Sequence, residues 1–232
     1  MADRPRALVV GANRGIGLGV VHEFIVRGWD VIATARQPAE ATVLAEVAKA
    51  HPGHVDILKL DMNDPAQIDR FPGLLRGRVL DAALVNAGVY GPGHQSASAA
   101  TAEEIGALMF TNAIAPIRLA RHLLSHIRKD TGVLAFTSSV MGSVTLNEGG
   151  AELYRASKAA LNLLTRGLQS EVGARKITLL TLHPGWVRTD MGGPNAAVSV
   201  EDSARGLVNG IIHQKGAHKH AFIDFTGAEV AW

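Results

Sequence analysis

Tyr154 and Lys158 stand four residues apart in Tyr154-Arg155-Ala156-Ser157-Lys158, within a helical pattern. On a helix such a pair leaves the same face one turn apart. A free phenol keeps its proton to pH about 10, and an ammonium held beside it favours the phenolate. The pair is therefore a candidate proton donor or acceptor near neutrality, although the same spacing also decorates solvated helix faces. Upstream, Thr137-Ser138-Ser139 ends an apolar run. A serine hydroxyl there can donate to a carbonyl oxygen as charge develops on it, or simply cap a turn. Asn112 opens the longest central helical pattern, where capping is the obvious role.

These residues must be positioned by the elements around them. Strand candidates are Ala7–Val10, Val31–Thr34, Val55–Lys59, Ala82–Val85, Gly132–Thr137, Ile177–Leu182 and Ala221–Asp224. Helical patterns cover Ile16–Arg27, Ala39–Ala50, Ala102–Phe110, Asn112–Arg128, Ala151–Gly173 and Val200–Ile212. The strand runs are β-branched and continuous rather than alternating, as in parallel strands covered on both faces. Strand–helix alternation of this kind predicts an α/β fold, a doubly wound Rossmann-like sheet of seven parallel strands with helices on both faces. No linker or composition break splits residues 1–232, so one domain is expected.

The first strand runs into Val10-Gly11-Ala12-Asn13-Arg14-Gly15-Ile16-Gly17 and then a helix. Glycines are needed where a turn is tight, where backbone approaches a pyrophosphate and where helix packs on strand. The helix N-terminus adds unpaired N–H groups and a positive dipole end. A plain strand–helix connector is the alternative, but the placement after the first strand favours a dinucleotide site. After the second strand comes Ala35-Arg36-Gln37, where an NAD-binding chain would place a carboxylate for the ribose diol. Arg36 and Arg14 instead offer two guanidiniums to a 2′-phosphate, or are solvated surface groups. The third strand ends in Leu60-Asp61-Met62, and Asp61 either accepts from an adenine amino group or caps the next helix. The fourth ends in Asn86-Ala87-Gly88, small enough for a cofactor to lie close.

Composition narrows the classes. A formal charge of +2 gives no sign of a dedicated nucleic-acid or membrane-surface binder. No stretch approaches the roughly 20 apolar residues of a membrane span, and no signal peptide is apparent. The absence of cysteine excludes disulfides and thiolate chemistry and fits a cytoplasmic location. His213, His218 and His220 match no familiar metal spacing and read as a solvated loop, so no metal is expected.

Taken together, Gly11-x-x-x-Gly15-x-Gly17, Asn86-Ala87-Gly88, Asn112, Ser139, Tyr154-x-x-x-Lys158 and Pro184-Gly185 resemble the short-chain dehydrogenases/reductases over essentially the full chain. The run His183–Gly193 and the terminal Phe225–Trp232 are similar to the C-factor-like and sniffer-type carbonyl reductase subgroup. The resemblance implies a tetrad of Asn112, Ser139, Tyr154 and Lys158 acting with NADP(H) on a carbonyl or alcohol. Tyr154 would move the proton, Lys158 would lower its pKa and hold the nicotinamide ribose, Ser139 would polarise the substrate and Asn112 would support a relay water. Ser139 is preferred to Ser138 because the family's serine is usually the second of such a pair. Asn86, Pro184, Gly185, Val187 and Thr189 would lie along the nicotinamide side, with Thr189 near the carboxamide.

Two departures stand out. Val10 replaces the threonine that usually precedes the first glycine, and the segment from Trp186 to Val200 is short where relatives carry a long lid. A short lid implies an open pocket, drawing on Tyr90, Val140, Met141, Leu146, Trp186 and Met191. The family commonly self-associates through the Asn112 and Tyr154 helices, as a homodimer or homotetramer. Here Arg118, Arg121, His122, Ser125 and Arg128 form a polar, exposed face whose basic groups would repel a symmetry copy. The resemblance leaves two further readings open: a dinucleotide-binding sensor or signalling protein with incidental catalysis, and an epimerase or dehydratase.

Overall fold

The apolar runs fold into seven strands: β1 (Arg6–Val10), β2 (Asp30–Ala35), β3 (Val55–Lys59), β4 (Ala82–Val85), β5 (Val133–Thr137), β6 (Thr178–His183) and β7 (His220–Asp224). In this computed structural model, which describes residues 4–232, they form one parallel sheet in the order β3-β2-β1-β4-β5-β6-β7. Ala7 pairs with Val31 on one side of β1 and with Ala82 on the other. The strand order therefore reverses beside β1, and that reversal opens a crevice at the carboxyl ends of β1 and β4.

Alternation along each strand sends residues to two separate cores. Ala7 and Val9 pack with Val20, Val21 and Phe24 of α1 (Gly15–Val26), Leu44 of α2 (Thr42–Ala50) and Leu207 of α8 (Val200–His213). Leu8 and Val10 pack on the other face with Ile68 and Phe71 of α3 (Pro65–Leu74), Leu119 of α5 (Ala115–Leu123) and Leu161 of α6 (Glu152–Gly167). With both faces of β1 fully covered, the continuous apolar spelling of its sequence follows.

Three helical expectations change, and one helix is added. The pattern Ala39–Ala50 breaks at Ala41, so that only Thr42–Ala50 is α-helical. Helix α3 escaped the periodicity reading because Pro65 and Pro72 obscure it; Asp64 caps it by accepting from Ala66 and Gln67 N–H groups at 2.9 and 3.1 Å. The pattern Asn112–Arg128 does not begin at Asn112. A π-turn, Phe110–Ile114, joins α4 (Ala102–Met109) directly to α5, and the path turns extended at Ile127. The pattern Ala151–Gly173 divides at Leu168 into α6 and α7 (Gln169–Gly173). Among the described residues no helix is long and apolar enough to cross a membrane.

Candidate active site

The carboxyl ends of β1, β4 and β5 carry the candidate residues to one edge of the sheet. Gly11 has φ +81°, and a Cβ there would lie 2.9 Å from Ala87 Cα. Gly17 admits no side chain either, since its Cβ would stand 2.0 Å from the Gly11 carbonyl oxygen. These two glycines let the turn fold flat against α1 and against the Asn86-Ala87-Gly88 segment. Arg14, the residue before α1, provides no side-chain cap, so the helix's first N–H groups face the crevice without one. The glycine turn, its small neighbours and this helix end fit a pyrophosphate.

Other parts of the nucleotide expectation are rearranged. The guanidinium of Arg14 is ion-paired with Asp190 of the loop after β6. Arg36 is exposed and has no hydrogen-bond or ionic partner among the described residues. Asp61 does not cap α3. Its carboxylate accepts from the Asn63 N–H (2.9 Å) and its own N–H donates to Gln67 Oε1 (3.1 Å), which shapes the turn instead. Met62 is buried in the core beside it. Val10 costs the turn no hydroxyl, because Thr34 at the end of β2 accepts from the Gly11 N–H at 3.1 Å. Nothing in the motif points to Thr34; only the β1–β2 register does.

Asn86 is a strut: its Nδ2 donates to the Gly11 carbonyl (3.2 Å), and its Oδ1 accepts from Thr137 Oγ1 (3.0 Å). Beyond β6, Gly185 takes φ +84° and Thr189 lies against Gly15, whose Cβ would come 3.3 Å from Thr189 Cγ2. Val187 is buried, and its segment closes on itself: the Val198 N–H donates to the Trp186 carbonyl and the Arg188 N–H to the Val198 carbonyl, both at 2.9 Å. Asn13 and Arg14 are exposed beside this wall.

The candidate proton-handling residues meet behind the crevice. Lys158 is 4% exposed, and its ammonium donates to the Thr137 carbonyl at 2.9 Å. Gly88 and Gly142 leave it room, since a Cβ at Gly88 would lie 3.4 Å from Nζ and one at Gly142 2.9 Å from Lys158 Cβ. Ser138 turns away to donate to Asn162 Oδ1 (2.5 Å), whereas the Ser139 hydroxyl accepts from the Met141 N–H (3.1 Å) and stands near enough to the Tyr154 phenol to favour its ionised form. The second serine is therefore the one beside the tyrosine.

Asn112 is fully buried within the π-turn and does not cap a helix. Its amide donates to the Val89 carbonyl (2.8 Å) and Ser157 Oγ (3.0 Å), while its Oδ1 accepts from the Val89 N–H (2.8 Å). It braces the loop after β4 against α6.

Electrostatics depart from the simple picture of an ammonium lowering a phenol. Burial pushes the Tyr154 phenol up to about 12, the nearby Tyr90 phenol adds to the rise, and only the Ser139 hydroxyl opposes it. Burial pushes Lys158 down to about 8. The ammonium sits 5.7 Å from the Tyr154 ring centroid and is directed to a carbonyl. The tyrosine thus holds its proton through neutral pH.

Of the residues expected to line the pocket, Tyr90, Leu146, Trp186 and Met191 are exposed, and Val140 and Met141 are half-buried. The Tyr90 ring leans on Tyr154 with centroids 5.2 Å apart. The final residues fold back along β7, where the Trp232 ring packs on His220 and Phe222 at 4.8 and 5.2 Å. His220 is therefore part of a strand, bonded to Thr181 Oγ1, and not of a solvated loop. No metal-ligating cluster of three occurs among the described residues.

A family model described as short chain dehydrogenase matches residues 5–198. The chain belongs to the short-chain dehydrogenase family. It is similar to a carbonyl reductase from Pseudomonas aeruginosa PAO1 solved in complex with NADP, at 41% identity and a TM-score of 0.92 over 99% of this chain and all of that one. The carbonyl reductase Sniffer of D. melanogaster aligns at 29% identity and a TM-score of 0.89, over 99% of this chain and 100% of its own. The C-signal protein of Myxococcus xanthus is 41% identical over 125 residues, 52% of this chain and 74% of the relative. The chain is an oxidoreductase of this family, similar to the C-factor and sniffer branch.

Proposed function

We propose that this chain reduces ketones or aldehydes with NADPH, Tyr154 acting as the proton donor. The observation that carries the reading is the convergence of Tyr154, Ser139 and Lys158 beside a glycine-built phosphate cradle. Bound NADPH would supply the hydride. Gly11, Asn13, Gly15, Ile16 and Gly17 would hold its pyrophosphate, Arg36 its 2′-phosphate, Asp61 and Met62 its adenine end, and Ala87 and Gly88 would lie against its middle. Asn86, Pro184, Gly185, Val187 and Thr189 would flank the nicotinamide end. The NADP held by the Pseudomonas relative supports this assignment.

The chain's own work is to place the carbonyl and manage one proton. As negative charge develops on the carbonyl oxygen, the Ser139 hydroxyl donates a hydrogen bond to it and Tyr154 gives up its proton. A phenol raised to about 12 is well suited to this direction, because it stays protonated until an alkoxide forms. Lys158, whose ammonium lies in the same layer, would contact the nicotinamide ribose. Asn112 would act by holding the loop after β4 and α6 together.

Tyr154→Phe should lower turnover by at least about 100-fold while NADPH affinity stays unchanged. Wild-type turnover in that variant ends the mechanism.

The likeness to C-signal favours one second reading, a dinucleotide-binding signalling protein whose turnover is incidental. NADPH oxidation against a panel of aldehydes, ketones and quinones separates the two: oxidation supports the reductase, whereas tight binding without oxidation supports the sensor. An epimerase or dehydratase is disfavoured by the short, self-paired segment after β6.

The chain would work as one domain in the cytoplasm, as its lack of cysteine suits. Self-association remains open to the α5–α6 face. The repulsion expected there is relieved, since Arg118 and His122 pair with Asp69 and Arg121 with Glu171. Between them lies a groove of about 260 Å³ lined by Ile114, Ile117 and Leu164. Light scattering on the eluted peak reads the assembly directly.

A further inference from the structure

The first turn of α6, which carries Tyr154, lacks an ordinary cap. Its preceding residue, Ala151, is left-handed at φ +43° and offers no side-chain acceptor. An uncapped helix leaves its leading N–H groups without partners. Here one partner comes from a distant loop. The Tyr154 N–H donates to Gln95 Oε1 at 2.8 Å, across 59 residues of sequence.

Gln95 is unusual in three ways. It is a polar side chain only 7% exposed, and its backbone lies at φ +53°, a conformation that non-glycine residues hold only when surroundings enforce it. Both ends of its amide are engaged besides: Nε2 donates to the Tyr90 carbonyl at 2.8 Å and the Pro92 carbonyl at 2.7 Å, while Oε1 accepts from Tyr154. Two carbonyls on one side and an N–H on the other leave one amide orientation. A second tie runs the opposite way, from α6 to the loop: Glu152 Oε2 accepts from the Ala97 N–H at 2.7 Å. Together they form a reciprocal cap made between two segments, in the manner of a capping box.

The loop so tied carries Tyr90, whose ring is 5.2 Å from that of Tyr154. We infer that Gln95 is a positioning residue that clamps the substrate-facing Tyr90 loop to the helix bearing Tyr154, setting the gap in which a carbonyl must sit. The inference rests on the reading of Tyr154 as proton donor. Since the clamp touches neither the glycine turn nor Arg36, it governs the carbonyl side of the site and leaves nucleotide affinity alone.

Two variants separate the halves of the clamp. Gln95→Glu keeps an acceptor for the Tyr154 N–H but presents no donor to the Tyr90 and Pro92 carbonyls, so it frees the loop and preserves the cap. Gln95→Gly removes both halves, and glycine tolerates the positive φ, so the backbone is not strained further. For Gln95→Glu, KM for the carbonyl should rise about tenfold with kcat held within about threefold. For Gln95→Gly, kcat should also fall by about tenfold, as expected when an acid is misplaced by a fraction of an ångström. NADPH affinity, read by fluorescence titration, should stay within about twofold for both.

Parent-like kcat and KM in both variants would overturn the clamp. So would a loss of NADPH affinity in step with turnover, which marks a general structural role. Tyr154→Phe, run alongside, keeps the two claims distinct. If it is inactive while both Gln95 variants behave as parent, only the clamp fails; if it is active, the proton-donor reading fails and the clamp falls with it.

Discussion

The two ends of the same sheet bury an ionisable group to nearly the same depth and treat it in opposite ways. At the amino end, Asp81 is 5% exposed; at the carboxyl end, Lys158 is 4% exposed. Burial alone would raise the Asp81 carboxyl. Hydrogen bonds from Arg128 and the Arg6 N–H, with the charges of Arg128 and Lys215, outweigh it and hold the carboxyl below its ordinary value. The Arg128 Nε and Arg6 N–H reach it at 2.7 and 2.9 Å. Lys158 meets a carbonyl where Asp81 meets cations, so burial prevails and pushes it down to about 8. A charge matched by its partners fastens a fold, whereas a poorly matched one is tolerated where chemistry needs it.

The sharpest way to break this contrast is to remove both groups in turn. Asp81→Asn withdraws the counter-charge from Arg128 and Lys215 and should cost about 3 kcal/mol of stability, with turnover per folded molecule unchanged. Lys158→Met should do the reverse: turnover falls by about 100-fold or more, and the denaturation midpoint at neutral pH holds or rises. Denaturant melts and initial rates on the two variants read both quantities. A Lys158→Met protein as unstable as Asp81→Asn would show that the carboxyl end is as fully matched as the amino end.

The same contrast explains what was legible in the sequence. Strands β3 and β4 carry the boundaries expected for them: β4 is buried along its length and spelled in apolar residues throughout, as cover on both faces requires, whereas β3 lies at the sheet edge and admits Asp56 and Lys59. The meeting of Tyr154, Lys158 and Ser139 at one place is legible for a related reason: all three are defined by side-chain type and local spacing. Residues that act through long-range backbone contacts were not. Thr34 serves Gly11 across a strand pair, and Gln95 serves Tyr154 across 59 residues. Helix α3 was lost to its two prolines, although Asp64-Pro65 is itself a start signal. Asn112 looked like a cap because the π-turn that swallows it has no spelling of its own. The upward push of burial on Tyr154 is not legible in the sequence, because proximity to an ammonium is visible in a spacing and burial is not.

Arginines extend the comparison to the rim. Arg128 is engaged with Asp81, Arg14 is shared with Asp190, and Arg36 is free among the described residues. If the unpaired guanidinium is the one that meets a 2′-phosphate, Arg36→Asp should reduce the preference for NADPH over NADH by about tenfold or more. Arg14→Ala should change it less, because that charge is already opposed. Titration of both cofactors measures the ratio, and a larger effect at Arg14 would reverse the assignment.

The smallest effect lies in the pH dependence of stability, and its sign follows from the direction of each shift. Lys158 sits at about 8 when folded against an ordinary 10.5, so between those values the unfolded chain binds more protons and stability rises with pH. Tyr154 works oppositely and later: raised from 10.0 to about 12, it holds a proton the unfolded chain has lost, so stability falls across that window. Asp81, held below 3.8, matters only in acid, where its contribution is lost as pH drops through its folded value. Comparing the parent with Lys158→Met at pH 7.5 and 9.5 isolates the lysine, because Asp81 stays ionised over that interval and the tyrosine contribution is common to both proteins. The parent should gain up to about 2 kcal/mol relative to the variant, since each pH unit within the window is worth roughly 1.4 kcal/mol. A flat difference between the two proteins would mean that Lys158 keeps an ordinary affinity for its proton, and that burial without a counter-charge has not set the carboxyl end apart.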